Sequence, residues 1–206
     1  MNQPPIYGKR TLALASAMLL CGSMGLAQMH GNPSAGGPGQ NPTTDPQTNG
    51  MQGPGQTSVG DKLFVKNAMQ GGMAEVQLGQ MTLQKTNNDQ VKQFAQRMID
   101  DHTKMNDQMK PVAQQLGVDV PKQVSKKDRA TMAKLDALSG PAYDQAYIKD
   151  MIKDHKQDLS DFQMEASSGQ DQTVKDAASQ GSKVIAQHLQ MAQQMAKDQN
   201  VAMNGQ

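Results

Sequence analysis

Phe94 to Met109 reads FAQRMIDDHTKMNDQM, and its apolar residues Phe94, Met98, Met105 and Met109 recur at spacings of four and seven, the repeat of one α-helical face. His102 lies within that stripe, so it points inward. The segment that ends on it, Met98-Ile99-Asp100-Asp101-His102, returns as Met151-Ile152-Lys153-Asp154-His155. Two helical hairpins related by an approximate twofold produce such an echo.

The punctuation of the chain fits this pairing. A first helix is predicted from Asp61 to Thr86, followed by a turn at Asn87, Asn88 and Asp89 that also caps the second. The second runs to Leu116, where Gly117 and Pro121 end it, and Pro111 should kink its last turns. Ser125 and Asp128 are spaced as a capping box for a short helix from Ser125 to Leu138. A third long helix opens at Pro141 after Gly140 and ends near Gly169. The fourth begins after Asp171 and frays beyond Asp198. Short turns make each hairpin antiparallel, and the long middle connection permits a crossover. The fold class is therefore all-α: a ferritin-like four-helix bundle with a short extra helix in the middle connection.

Each long helix carries one ionisable residue in its apolar stripe. His155 has Met151, Ile152, Leu159 and Phe162 as helical neighbours, and His188 has Val184, Ile185, Met191 and Met195. Glu75 lies among Ala68, Gly71, Gly72, Leu78 and Gly79, so its carboxylate is expected to be buried and to need a partner. Gly71-Gly72 falls in a helical pattern and is expected to permit close helix contact. Counted from their turns, Glu75 and His102 share a level. His155 and His188 are offset by about 6 Å at 1.5 Å per residue, which leaves His188 inside or outside the group. Asp101 and Asp154 precede two of the histidines, but adjacent helical side chains diverge by about 100°, so either aspartate orients a neighbour's imidazole more easily than its own.

The flanks are of another kind. Lys9 and Arg10 followed by the apolar run Thr11 to Leu20 read as an export signal, and Gly25-Leu26-Ala27 places cleavage after Ala27. Residues 1–27 are thus a signal peptide. Residues 28–60 form a Gly/Pro/Gln/Asn-rich disordered linker, 61–199 the bundle and 200–206 a disordered tail. A bulky Leu20 before Cys21 argues against lipidation there. If Cys21 leaves with the signal, the mature chain has no cysteine, and disulfides, thiol catalysis and Cys-ligated metals drop out. The address is the periplasm or the medium, with no transmembrane segment in the mature chain. A formal charge of +1 and a basic cluster (Lys122, Lys126, Lys127, Arg129) broken by acids and without aromatics argue against nucleic acid.

Four blocks together resemble the bacterial exported family known as domain of unknown function 4142, regarded as ferritin-like. They are Glu75-Val76-Gln77-Leu78-Gly79; Val91-Lys92-Gln93-Phe94-Ala95 through Met98 to Asp101-His102; Ser139-Gly140 through Tyr143 and Tyr147 to Asp154-His155; and His188-Leu189. The resemblance spans nearly all of 61–197 and implies export and a helical bundle, with metal binding only by analogy to other ferritin-like proteins.

Carboxylate-bridged di-iron bundles need Glu-x-x-His on two helices. Here Ile99, Ile152 and Ile185 stand three before the histidines, so ferroxidase, oxygenase and catalase chemistry is poorly supported. Hydrolytic motifs are missing as well, and enzymatic function is the least supported class. Two readings of Glu75, His102, His155 and His188 stay open. One is a site for a single Zn, Fe, Mn or Cu ion. The other is a metal-free layer in which Glu75 accepts hydrogen bonds from histidines, inside an envelope scaffold or stress-related interaction protein with a protein partner. The 17 methionines, several in the histidine stripes, permit Cu(I) handling, but with so few aromatics they serve equally as flexible core filler. Gln28-Met29-His30, a histidine third from the new amino terminus, reads as accidental. Oligomeric state is not legible.

Overall fold

The computed structural model describes residues 58–203. The expected signal peptide, Cys21, nearly all of the expected linker, the Gln28-Met29-His30 motif and the last three residues of the expected tail lie outside them. Five helices follow in order: α1 (Val59–Lys85), α2 (Asp89–Leu116), α3 (Lys126–Asp136), α4 (Gly140–Ser168) and α5 (Gln172–Asp198).

The ends of these helices are set by side chains that satisfy otherwise orphaned backbone N–H groups. Ser58 and Asp61 form a reciprocal capping box, which starts α1 two residues before the expected Asp61. Asn88 and Asp171 cap α2 and α5, and Ser125 with Asp128 boxes α3. Gly117 ends α2 at φ 65°, where a side chain would be strained. The chain after α5 is not free as far as it is described. Asn200 turns left-handed, Val201 N–H bonds back to the Ala196 carbonyl, and Val201 is buried in the core. That is a Schellman-type stop, so the expected tail begins later than residue 200.

Long-range hydrogen bonds fix the topology. Thr82 near the end of α1 meets the Tyr143 hydroxyl near the start of α4 at 2.7 Å. At the other end Asp61 accepts from the backbone of Gln170 and Asp171, so α4 runs antiparallel to α1. Gln90 at the start of α2 reaches Asp198 at the end of α5, so that pair is antiparallel too. Between the hairpins the chain climbs back along α1, marked by Gln70 to the Gln123 carbonyl and by the ion pair of Lys85 with Asp136. α3 is the short helix of this crossover. The result is an all-α, ferritin-like four-helix bundle.

Two main apolar clusters occupy its length. Phe94, Met98, Tyr143, Tyr147, Ile148 and Met151 fill one end, and Val65, Met69, Met109, Val112 and Leu116 the other. Gly79 lets α1 approach α2 closely, since a Cβ there would lie 2.9 Å from the Ala95 carbonyl oxygen. Gly72 does the same against the Asn106 side chain, but a Cβ on Gly71 would meet nothing within 4 Å. Of the expected pair, only Gly72 is a contact glycine. Along α2 the first cluster's Met98 and the second's Met109 bracket His102. Three of the four stripe residues, His102, His155 and His188, form a buried layer within the bundle.

Candidate metal centre

Each histidine reaches the interior from its own helix: His102 from α2, His155 from α4 and His188 from α5. They are 3%, 0% and 0% exposed. Their ring centroids are 5.8, 5.2 and 5.5 Å apart, taken in the order 102–155, 102–188 and 155–188. One ring nitrogen from each lies within 4.8 Å of the others. The turn between α4 and α5, residues 169–171, is the one the sequence count assumed; the imidazole side chains reach across the expected offset, and His188 belongs to the group.

The hydrogen bonds single out which nitrogens are free. His188 Nε2 lies 2.9 Å from Asp101 Oδ2, so the neutral ring donates from Nε2 and keeps its lone pair on Nδ1. Asp101 also accepts from Arg97 Nε at 2.6 Å. It therefore orients the imidazole of a neighbouring helix and not of adjacent His102, as the helical divergence requires. Buried and without a well-formed hydrogen-bond partner are His102 Nε2, His188 Nδ1 and both nitrogens of His155, with the Met151 backbone close enough to His155 to favour its protonated form. An unpaired buried polar atom costs about 1–3 kcal/mol, so one such nitrogen from each of three rings gathered in one place forms an expensive arrangement unless something binds there.

Burial is also what sets their charge. It pushes His102 well below the usual imidazole range, and the proximity of His155 and His188 pushes the same way. His155 falls to about 4, first through burial and then through His188, against the opposing pull of Asp154. Burial lowers His188 as well, partly offset by Asp101. Asp101 is raised by its own burial, but His188 and Arg97 outweigh that and leave it below its ordinary value. At neutral pH the centre is three uncharged imidazoles, the state in which histidine coordinates a metal.

Tetrahedral Zn–N bonds of about 2.0–2.1 Å separate ligand nitrogens by about 3.3 Å, so nitrogens within 4.8 Å of one another need a closure of about 1.5 Å or less. Rotation about χ1 and χ2 covers that distance. The donor set therefore fits one borderline ion and leaves a fourth coordination position for another ligand.

Glu75 is buried, 3% exposed, but lies outside this group of three, and no hydrogen bond links it to a histidine. It faces a row of acids on α4. Burial first, then Asp154, Asp158 and Asp150, raise its carboxyl well above the usual range. Burial and Asp154 likewise raise Asp150 to about 6 and Asp158 to about 7. Lys127 of α3, 3.5 Å from Asp154, is the compensating cation. Asp150 is thus half-buried in a carboxylate row and not part of an ordinary solvated face. The signal was there in the spacing: Asp150, Asp154 and Asp158 stack one turn apart, a like-charge pattern that weakens an isolated helix. Met191, assigned to the stripe of His188, is instead 37% exposed.

Among solved structures, a Streptomyces coelicolor DUF305 protein, described as a "putative secreted protein", is similar at a TM-score of 0.62 and 12% identity, over 71% of this chain and 96% of that one. At that identity the likeness shows the fold alone. Curated proteins give no match. The family described as Domain of unknown function (DUF4142) matches residues 46–195, a span that holds the whole histidine layer. The chain belongs to the DUF4142 family.

Proposed function

We propose that this protein is an exported helical bundle that binds one transition-metal ion through His102, His155 and His188. The observation that supports it is the convergence of three fully buried imidazoles, with four unpartnered nitrogens between them and Asp101 holding His188 in the tautomer that frees Nδ1. A metal-binding histidine normally donates its other N–H to an acceptor such as a carboxylate, and Asp101 supplies that for one of the three.

The chemistry of the donors narrows the ion. Three neutral nitrogens with no carboxylate in the group suit zinc or copper better than manganese, which favours oxygen ligands. Isoleucines 99, 152 and 185, in place of bridging glutamates, take the bundle away from di-iron oxidation. Binding and carriage of the ion is then the role, with catalysis unsupported. Export rests on the positive and apolar start of the chain, and on a described region in which no helix is long and apolar enough to cross a membrane.

Titration of metal-free mature protein with Zn2+ and with Cu2+, followed by calorimetry, tests this. One equivalent should bind to the wild type and none at the same affinity to His102→Ala or His155→Ala. Unchanged stoichiometry and affinity in the double variant would leave the metal-free polar layer as the description of these residues.

A further inference from the structure

Two clefts open on either side of Met105, and they differ in where they lead. One, of about 420 Å³, runs over α2 and α5 to Asp101, carries Lys104 and touches no histidine. The other, of about 360 Å³, reaches His102 from the α1 and α4 side. His102 is almost fully buried, and its Nε2 is one of the unpartnered nitrogens, so this cleft ends on a ring that carries a free donor of the metal centre. Asp158, Asp161 and Glu165 line the same cleft, and no lysine or arginine does. Burial raises Asp158 and Glu165 to about 7, so above that pH an approaching cation meets carboxylates along the cleft and an anion is repelled.

Gly71 also lines this cleft. A glycine in mid-helix costs about 1 kcal/mol relative to alanine, so it calls for a reason. At Gly72 the reason is Asn106, which a Cβ would strike at 2.5 Å. At Gly71 packing gives none, because a Cβ there meets nothing within 4 Å. Its one visible consequence is the width of the cleft.

We propose that this cleft is the route by which a divalent cation reaches the three histidines, with Asp158, Asp161 and Glu165 drawing it in and Gly71 keeping the passage open. The proposal rests on the metal-binding reading above. It is tested by the rate of loading rather than its extent. Metal-free mature protein is mixed with Co2+ in a stopped-flow spectrometer, and the ligand-field absorption of the bound ion is followed.

Gly71→Leu, whose Cβ meets no neighbour within 4 Å and whose longer side chain would narrow the passage, should slow uptake at least tenfold. Extraction by chelator should slow by the same factor, so that affinity stays within about threefold. Uptake by Gly71→Leu at the wild-type rate would overturn the route. Because leucine there could still perturb α1, a second variant acts through charge alone. Asp158→Asn with Asp161→Asn and Glu165→Gln should load several-fold more slowly at low salt and lose most of the salt dependence of the wild type. An unchanged rate and salt dependence would remove the carboxylates from the proposal. A wild type that never binds Co2+ at the histidines refutes the metal reading itself, and this inference with it.

Discussion

Replacing Asp101 by alanine isolates the one contact that orients the metal centre without touching a ligand. His188 is fully buried and its Nε2 donates to Asp101 at 2.9 Å, so truncation leaves a buried N–H without an acceptor. That costs about 1–3 kcal/mol, and the exposed contact to Arg97 adds about 0.3–0.5 kcal/mol. Alanine returns up to about 0.7 kcal/mol of helix propensity. The metal-free protein should therefore lose about 1–2 kcal/mol in urea unfolding. Loss of such an acceptor should also lower metal affinity about 10–100-fold, since His188 no longer holds one tautomer and one ring orientation. Asp101→Asn keeps an acceptor oxygen at the same place and should cost less than tenfold in affinity. Competition against a chelator of known affinity gives both numbers. An Asp101→Ala variant that binds as tightly as the wild type would refute the reasoning that Asp101 sets the tautomer of His188.

The loss of metal affinity on acidification should set in at a lower pH than for free imidazoles. Free imidazoles would lose it below pH 6.5, but here burial depresses all three, His155 to about 4; an affinity falling steadily from pH 6.5 downward would contradict those environments. Asp158 carries a raised carboxyl, at about 7, so the stability it contributes is present below its unfolded value near 4 and is lost as pH rises through 7. Asp158→Asn should therefore be more stable than wild type by at least about 1 kcal/mol at pH 8, with the gap closing by pH 4 in chemical denaturation. Gly79→Ala should destabilise by about 1–2 kcal/mol, because its Cβ meets the Ala95 carbonyl and Ile99, whereas Gly71→Ala should stabilise by about 0.5–1 kcal/mol. Thermal melts of the two that move in the same direction would show that the α1–α2 contact is misread.

Much of the architecture was legible because it is local. Apolar spacing around His102 and His155, the caps at Asn88, Ser125 and Asp171, and Gly117 each act within one or two helical turns. The inward direction of the histidines followed from the same periodicity. What sequence could not give was the rotation of one helix against another. Glu75 satisfied every one-dimensional criterion that the histidines did, yet α1 turns it toward the acids of α4 and not into the group of three. The joining of His188 to the group was left open by its offset of a few residues from the level of His155, about 1.5 Å each, which the reach of the two side chains spans. The burial of Asp150 is not legible from its own helix, which does not reveal that α3 and α1 lie against it. The bond between Asp101 and His188 was foreseeable only as a kind of contact, since it joins residues 87 apart in sequence.

Whether three imidazoles close on a single ion is read most directly by X-ray absorption at the metal edge of the one-to-one zinc complex, which counts those ligands. Three imidazole nitrogens are expected at about 2.0–2.1 Å, with one further light atom completing a tetrahedron. A shell made only of oxygen, or one with fewer than two imidazoles, would contradict it and place the ion elsewhere on the protein.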